Sequence, residues 1–506
     1  MHTDKKKSVE SVREASVSNC LEAFMRPKLE LLEPELVDRV LGEAFELLMN
    51  PGVKVQSPEA RELLAQAGAT VAGEIAHIPE ALARKQLSTV PHEFWLHDRA
   101  GNPVVHYGGD DVHFDPGSSG VQILDAETLE HRPAQAVDLV RLIKTAEMLP
   151  QYAAQSTAVV CDDVPKAIGD LYRLFLVLWY SDKPIVTGSF NEHTTQVMID
   201  LLALDCGGRE ALKAKPRAVF DVCPSPPLNW SEFGSQNLID LARAGVPAEI
   251  VSMPLAGATA PVTLIGAITQ HAAECLSGMT IHQLAGPGSP IVWGGAPAIF
   301  DMRSGATPMG AIETAMIDAA YVQVGKSLNL PTHCYLCASD GKLVDAQAGL
   351  ESGMTALVGA LAGVNMISGA GMLDFLVCQS AEKLVIDAEA IAMAQRLLRG
   401  VTTPTETLAT AMFAQTGLKG EFLKLKDTRR LFPQEQNLPS KVIDRGSLRA
   451  WQESGSLDAF GRAKMRVQEL LGAYQRPQLA DDVEHKLLAL VQREARAAGL
   501  ETLPGL

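Results

Sequence analysis

Apolar, β-prone runs recur along this chain from near Tyr152, Pro184, Pro216, Pro247, Pro290, Pro331 and Gly363, at steps of 31 to 43 residues. A step of that size holds one strand, one helix and two short connections, the spacing of a parallel sheet with helical crossovers. Helical patterns fill the intervals over 165–180, 193–204, 234–244, 261–284, 310–328 and 345–361. Proline just ahead of a run suits a strand's first position, where no ladder N–H is required. The stretch 331–374 shows the unit most plainly. A β-rich run (332–336) meets the polar loop Ser339-Asp340-Gly341-Lys342, a helix follows over 345–361, and a second apolar run (364–367) ends in Ser368-Gly369-Ala370-Gly371. Seven such runs, with an eighth near 120–124 or after Ser368, predict an α/β fold of the (β/α)8 TIM-barrel type. The alternative is an open doubly wound sheet. No G-x-G-x-x-G follows a strand, which counts against its dinucleotide-binding version.

Around this core, 1–115 reads as an N-terminal helical and β extension, 116–385 as the barrel and 386–506 as a C-terminal helical region. Val37, Val40, Leu41, Ala44 and Leu48 lie on one helical face. Ser57-Pro58-Glu59 opens a further helix with a capping residue and then proline. Helices are expected over 382–398, 457–471 and 482–498, packing on the barrel or on a neighbouring subunit, and a homo-oligomer is expected.

Composition narrows the function classes. The 506 residues carry 44 Lys and Arg against 60 Asp and Glu, a net charge of −16. That balance argues against nucleic acid or an anionic membrane as partner. Residues 1–30 read as a loose leader with lysines but no apolar secretory region. The apolar helix around 171–180 contains Arg173 and is too short to span a bilayer. Eight cysteines without framework spacing suit a reducing cytoplasm.

The strand ends collect polar and aromatic groups. They are Asp221, Cys223, Asn229, Trp230 and Phe233 after the third run; Trp293, Phe300, Asp301 and Arg303 after the fifth; and Tyr335, Ser339, Asp340, Lys342, Asp345 and Gln347 after the sixth. In a barrel these loops converge on one face. Asp345 also stands where a helix N-cap is expected, and Asp301 and Arg303 are close enough to pair with each other. Aromatic faces bind quaternary ammonium groups, and this chain, only 5% aromatic, places several there. Cys334 and Cys337 have a C-x-x-C spacing, but as residues of one strand they point to opposite faces; no metal site is expected. No pair of histidines at i and i+2 marks an early strand, and Ser339 has no evident His/Asp partners for a hydrolase triad.

Five stretches resemble the trimethylamine methyltransferase family: Met253-Pro-Leu-Ala-Gly-Ala-Thr-Ala-Pro-Val-Thr263, Asp301-Met-Arg-Ser-Gly-Ala306, Ala338-Ser-Asp-Gly-Lys-Leu-Val-Asp-Ala-Gln-Ala-Gly349, Gly369-Ala-Gly-Met-Leu373 and Glu382-Lys-Leu-Val-Ile-Asp387. Pro51-Gly-Val-Lys-Val55 and Ile78-Pro-Glu80 add to the likeness, which runs from about residue 30 to 475. The resemblance implies a barrel enzyme that moves a methyl group from an amine to the cobalamin (corrinoid) of a separate cognate protein. Some members carry pyrrolysine in the segment matching about 339–345. Every residue here is standard, which points to the pyrrolysine-lacking branch that demethylates quaternary amines such as glycine betaine.

On that reading Trp230, Phe233, Trp293 and Tyr335 are expected around the cation, with Asp340 or Asp345 as a field-setting acid and Gln347 beside them as a catalytic position. Arg303, Lys342 or His333 would hold a substrate carboxylate. Gly257, Gly294, Gly295, Gly369 and Gly371 would let the corrinoid ring approach the backbone. The chain has no Asp-x-His-x-x-Gly stretch of its own; Asp111-Val-His113 comes nearest, with Gly117 one residue late. Lys426-Asp427-Thr428 stands where the family resemblance implies a His-Thr pair. The alternatives are a zinc-assisted corrinoid methyltransferase using Cys334 and Cys337, and a non-catalytic betaine-binding homologue.

Overall fold

The computed structural model describes residues 26–403 and 405–506; the expected leader lies outside them apart from 26–30. Residues 29–394 and 439–506 form one compact unit. The described residues of 1–28 and 395–438 form a second, containing the short helices Thr410–Thr416 and Lys426–Glu435. All strands and every candidate site residue belong to the first unit.

Eight parallel strands alternate with helices. They are β1 (His113–Pro116), β2 (Gln155–Ser156), β3 (Ile185–Thr187), β4 (Ala218–Val222), β5 (Ala248–Ser252), β6 (Ile291–Gly295), β7 (His333–Cys334) and β8 (Met366–Ala370). The helices that follow them in turn are α1 (Ala136–Glu147), α2 (Gly169–Tyr180), α3 (Glu192–Cys206), α4 (Glu232–Ala244), α5 (Leu264–Ala285), α6 (Ile312–Ser327), α7 (Ala346–Leu361) and α8 (Ala381–Leu398). The expected helices are therefore present within a few residues of their predicted ends. One parallel sheet has the order β6-β5-β4-β3-β2 and another the order β7-β8-β1. A parallel bridge between Trp293 and Thr332 joins β6 to the β7 segment. On the other side Ala153 N–H donates to the Phe114 carbonyl at 2.9 Å, joining the β2 segment to β1.

Two strands differ from expectation. The eighth is β1, neither 120–124 nor a run after Ser368. Its sequence, HFDP, has no apolar run to announce it, and Gln122–Leu124 instead pairs with His131–Pro133 and Cys378–Gln379. β7 has two residues where 332–336 was expected, because Cys337 takes a φ of 66° that extended chain cannot share.

The N-terminal hairpin Phe94–His97/Pro103–Tyr107 sits against the strands. Phe94, Leu96, Val105 and Tyr107 pack on Ala154, Val186, Val219, Val292 and Met366 from five strand segments. Successive side chains of a strand face opposite ways. Residues two places on from that apolar layer, including Asp221, Gly294 and Ser368, therefore share its face. Trp293, between Val292 and Gly294, must point the other way. It lies wholly buried against the helices, donating its Nε1–H to the Tyr321 carbonyl at 3.1 Å beside Gly325.

Before β1 the helix Pro34–Met49 buries Val37, Val40, Leu41, Ala44 and Leu48, the face its spacing predicts. Ser57 caps Pro58–Gln66 by accepting from Ala60 N–H. After α8, Ala459–Ala473 and Asp481–Ala497 lie within a few residues of the expected C-terminal helices. Among the described residues no helix is long and apolar enough to cross a membrane.

Truncating Trp293 empties a large, fully packed space. Trp293→Ala is expected to cost about 3–5 kcal/mol, read as a fall in the urea midpoint. An unshifted midpoint would contradict the outward, buried placement of this indole.

Candidate active site

Beyond the apolar layer, the same strand faces turn polar. Asp115 on β1, Asp221 on β4, Glu249 on β5, His333 on β7 and Ser368 on β8 meet Tyr335 and the hairpin's Tyr107. Tyr107 Oη donates to Glu249 Oε2 at 3.2 Å, and Tyr335 Oη donates to Asp221 Oδ2 at 2.9 Å. Ser118 Oγ lies 2.8 Å from Tyr335 Oη. Ser368 Oγ donates to Asp115 Oδ1 at 2.5 Å. His333 Nδ1 approaches Glu249 Oε1 to 3.2 Å, and its ring meets Tyr335 edge-on at 5.0 Å.

Burial and mutual repulsion set the charges here. Desolvation, then the neighbouring Asp221, holds the Glu249 carboxyl well above its usual range; Glu249 keeps its proton and shares it with Asp221. Desolvation pushes Asp221 up to about 6, opposed by the hydrogen bonds from Glu249 and Tyr335 and by the nearby Arg173 charge. Asp115 is likewise pushed well up by burial. Burial lowers His333 to about 3, so its imidazole is neutral at pH 7. One carboxylate near neutrality, Asp221, is the outcome. It is half-buried at the strand ends, with the Tyr335 hydroxyl and the protonated Glu249 as its hydrogen-bond donors.

An apolar wall stands next to this acid. Val251, Ala296, Ala298, Met309 and Tyr335 pack together, with Leu255 and Leu376 against them. Two devices hold the wall. Asp340 accepts from the Met309 and Gly310 amides at 2.8 and 3.1 Å, while Glu351 accepts from Ser339 Oγ and from the Asp340 amide. Asp374, Phe375 and Leu376 take successive φ values of 50°, 58° and 68°. Three left-handed non-glycine residues in a row cost about 1–2 kcal/mol each. Lys342 steadies that turn, with Nζ 3.9 Å from the Phe375 ring centre and 3.2 Å from Asp374.

The structure brings His333 and Tyr335 into the polar centre and sends most other expected residues elsewhere. Trp230 is fully buried on the short strand Asn229–Trp230, which pairs with Val53–Val55, and it is bonded to Ser277 Oγ and packed on Gly278 of α5. Trp293 faces the helices; neither indole offers a face to a cation. Phe233 is half-buried in the first turn of α4. Arg303 is 92% exposed and paired with Asp301. Asp340 positions a backbone loop. Asp345 caps α7, accepting from the Gln347 and Ala348 amides, and Gln347 bonds Glu351 on the exposed side.

The expected glycines lie close to protein neighbours. A Cβ on Gly294 would meet the Ile250 carbonyl at 2.7 Å, on Gly295 His271 at 2.5 Å, on Gly369 the Leu336 carbonyl at 2.1 Å and on Gly371 Gln379 at 2.3 Å. Gly257 simply turns the chain at φ 95°. Cys334 and Cys337 are both fully buried free thiols. Among the described residues no group of three His, Cys, Asp or Glu side chains is placed to hold a metal. A groove of about 710 Å3 between α3 and Asp481–Ala497 lies in the outer helical layer and is lined by none of the expected site residues.

The trimethylamine methyltransferase family profile matches residues 2–499. Trimethylamine methyltransferase MttB2 of Methanosarcina mazei is 32% identical over 482 residues, covering 93% of this chain and 96% of the relative. Glycine betaine methyltransferase of Desulfitobacterium hafniense is 28% identical, covering 94% and 99%. The crystal structure of monomethylamine methyltransferase MtmB from Methanosarcina barkeri superposes with a TM-score of 0.52 at 11% identity, over 88% of this chain and 89% of that one. The α/β architecture is thus shared with a methylamine methyltransferase, and the chain belongs to the trimethylamine methyltransferase family.

Proposed function

We propose that this chain is a pyrrolysine-independent methyltransferase that takes a methyl group from a quaternary amine of the glycine betaine type. On this reading its eight strands close into a (β/α)8 barrel, and the methyl acceptor is the reduced cobalt of a corrinoid carried by a separate protein. The carrying observation is Asp221, a single carboxylate beside the Tyr335 ring and an apolar wall. That combination suits a permanent cation surrounded by methyl groups. The bridge at Trp293–Thr332 and the Ala153–Phe114 hydrogen bond support the closed ring. Membership of the family and the wholly standard sequence support the branch.

The chemistry asks little acid–base work of the protein. The carbon–nitrogen electron pair stays on nitrogen, which leaves as a neutral tertiary amine. The acceptor supplies the pair for the new carbon bond. No proton need be delivered for departure, which fits a centre where Glu249 keeps its proton and His333 is neutral. The protein's part is to orient one N-methyl group away from Asp221 and to exclude water with Val251, Met309 and Leu376. Such positioning is a large source of rate.

Purified protein mixed with free cob(I)alamin and a panel of quaternary amines is expected to consume the cob(I)alamin absorbance with one betaine-type compound. If no amine is consumed when the cognate corrinoid protein is also supplied, and no amine binds, the reading is wrong.

A quaternary nitrogen has no proton to lose, so the pH dependence of binding belongs to the protein. Protonating Asp221 removes the attraction. Affinity is therefore expected to be low in acid, to rise as pH passes about 6 and then to level off. Asp221→Asn should flatten that profile and weaken cation binding about 10- to 100-fold. A pH-independent wild-type affinity between 5 and 8 would exclude Asp221 as the cation partner.

A further inference from the structure

Arg173 is a lone cation in the apolar run of α2, LYRLFLVLWY, and it is fully buried. Its Nη1 donates to the Thr157 carbonyl at 3.0 Å and to Ser119 Oγ at 3.2 Å. Both partners lie just past the ends of β2 and β1, and the next residue, Ser118, bonds Tyr335. Ser119 holds a φ of 62°, a left-handed position that serine rarely takes and that marks a constrained loop. The carboxylate that acts most strongly on the guanidinium is the buried Asp170 of the same helix, and Asp221 and Tyr335 are also close enough for their charges to interact. Its Nε and Nη2 have no hydrogen-bond partner. Burial lowers its pKa only to about 10, so it remains charged at pH 7. Phe190, 45% exposed, stacks on the guanidinium 4.7 Å away.

Two unsatisfied donors on one buried guanidinium are costly to leave unpaired. The Nε and Nη2 edge is also the fork that matches a carboxylate bidentately. We propose that Arg173 holds the carboxylate of a zwitterionic substrate whose quaternary nitrogen lies at Asp221, and that Phe190 turns outward to admit it. This inference rests on the quaternary-amine reading and adds to it the residue that holds the carboxylate. It also reassigns the anion-binding role expected of Arg303, Lys342 and His333, which respectively pairs with Asp301, secures the Phe375 turn and sits neutral against Glu249.

Titration calorimetry of the full chain with glycine betaine, choline and tetramethylammonium tests it. The wild type is expected to bind glycine betaine about 10- to 100-fold tighter than choline or tetramethylammonium. Arg173→Met should remove that preference while leaving tetramethylammonium affinity within about twofold, and Arg173→Lys should restore part of it. Thermal melts of each variant establish folding. If Arg173→Met does not fold, Arg173→Lys decides: an undiminished preference for betaine over choline in that variant overturns the assignment. Equal affinity for the two, or equal loss of all three ligands in a folded variant, overturns the assignment while the quaternary-amine reading stands. Binding of none of the three by the wild type removes that reading and the assignment together.

Discussion

Three carboxyl groups, Asp115, Asp221 and Glu249, occupy the polar end of the space beside the strands, and they cannot all be charged there. Isolated buried charges cost several kcal/mol each even after relaxation, and like charges at short range add to that. The structure resolves the conflict by protonation and hydrogen bonding. Glu249 keeps its proton, with Tyr107 on one oxygen and Asp221 taking its hydrogen bond. Ser368 donates to Asp115. What is left is one charge that burial does not abolish, on Asp221. Much of the surrounding architecture follows from keeping it so. The N-terminal hairpin brings Tyr107 into the centre, and the short β7 carries His333 and leads into Tyr335 before Cys337 turns the chain away.

The loops beyond the strands are held with comparable care, largely by groups that touch no reacting atom. Asp340 fixes the backbone that carries Met309, and the left-handed turn 374–376 sets Leu376 on the Tyr335 cluster. A buried pair, Lys383 and Asp387 at 2.6 Å, reaches further. Lys383 also bonds Ser352 of α7, and Asp387 accepts the Gly371 amide. Breaking one partner of such a pair leaves an uncompensated buried charge. The motif containing these two residues thus has a structural reason: it ties the turn after β8 to two helices.

How much of this was legible in the sequence depended on the kind of signal. The strand–helix alternation is carried by long apolar runs and came through, apart from β1, whose HFDP has no hydropathic mark. The site was harder. Trp230 and Trp293 drew attention by chemistry alone, yet alternation along β6 already turns Trp293 away once Val292 is placed inward. The same parity puts Asp221 two residues after Val219, in the right place. Glu249 was visible as a charge inside an apolar strand, and Arg173 as one inside an apolar helix; both are exceptions to the rule that lone charges avoid cores. Asp345 stood at its N-cap as its residue type suggested. Arg303 and Gln347 could not be placed from sequence, because nothing local separates an exposed loop residue from one turned inward.

Asp221 and Arg173 are complementary in sign, and their complementarity bears on the choice of substrate. A site with Asp221 alone would attract any small cation, including protonated amines far commoner than a quaternary one. A site with Asp221 and Arg173 presents charges of both signs. It rewards instead a molecule with both charges at the right separation. Mismatch is costly, since a cation without the anion leaves the Arg173 donors unpaired in a low-dielectric setting. The specificity then comes from the penalty against the wrong ligand, and a methyl-transfer site that must leave one N-methyl group free of polar contact can draw its orienting energy from the far end of the substrate.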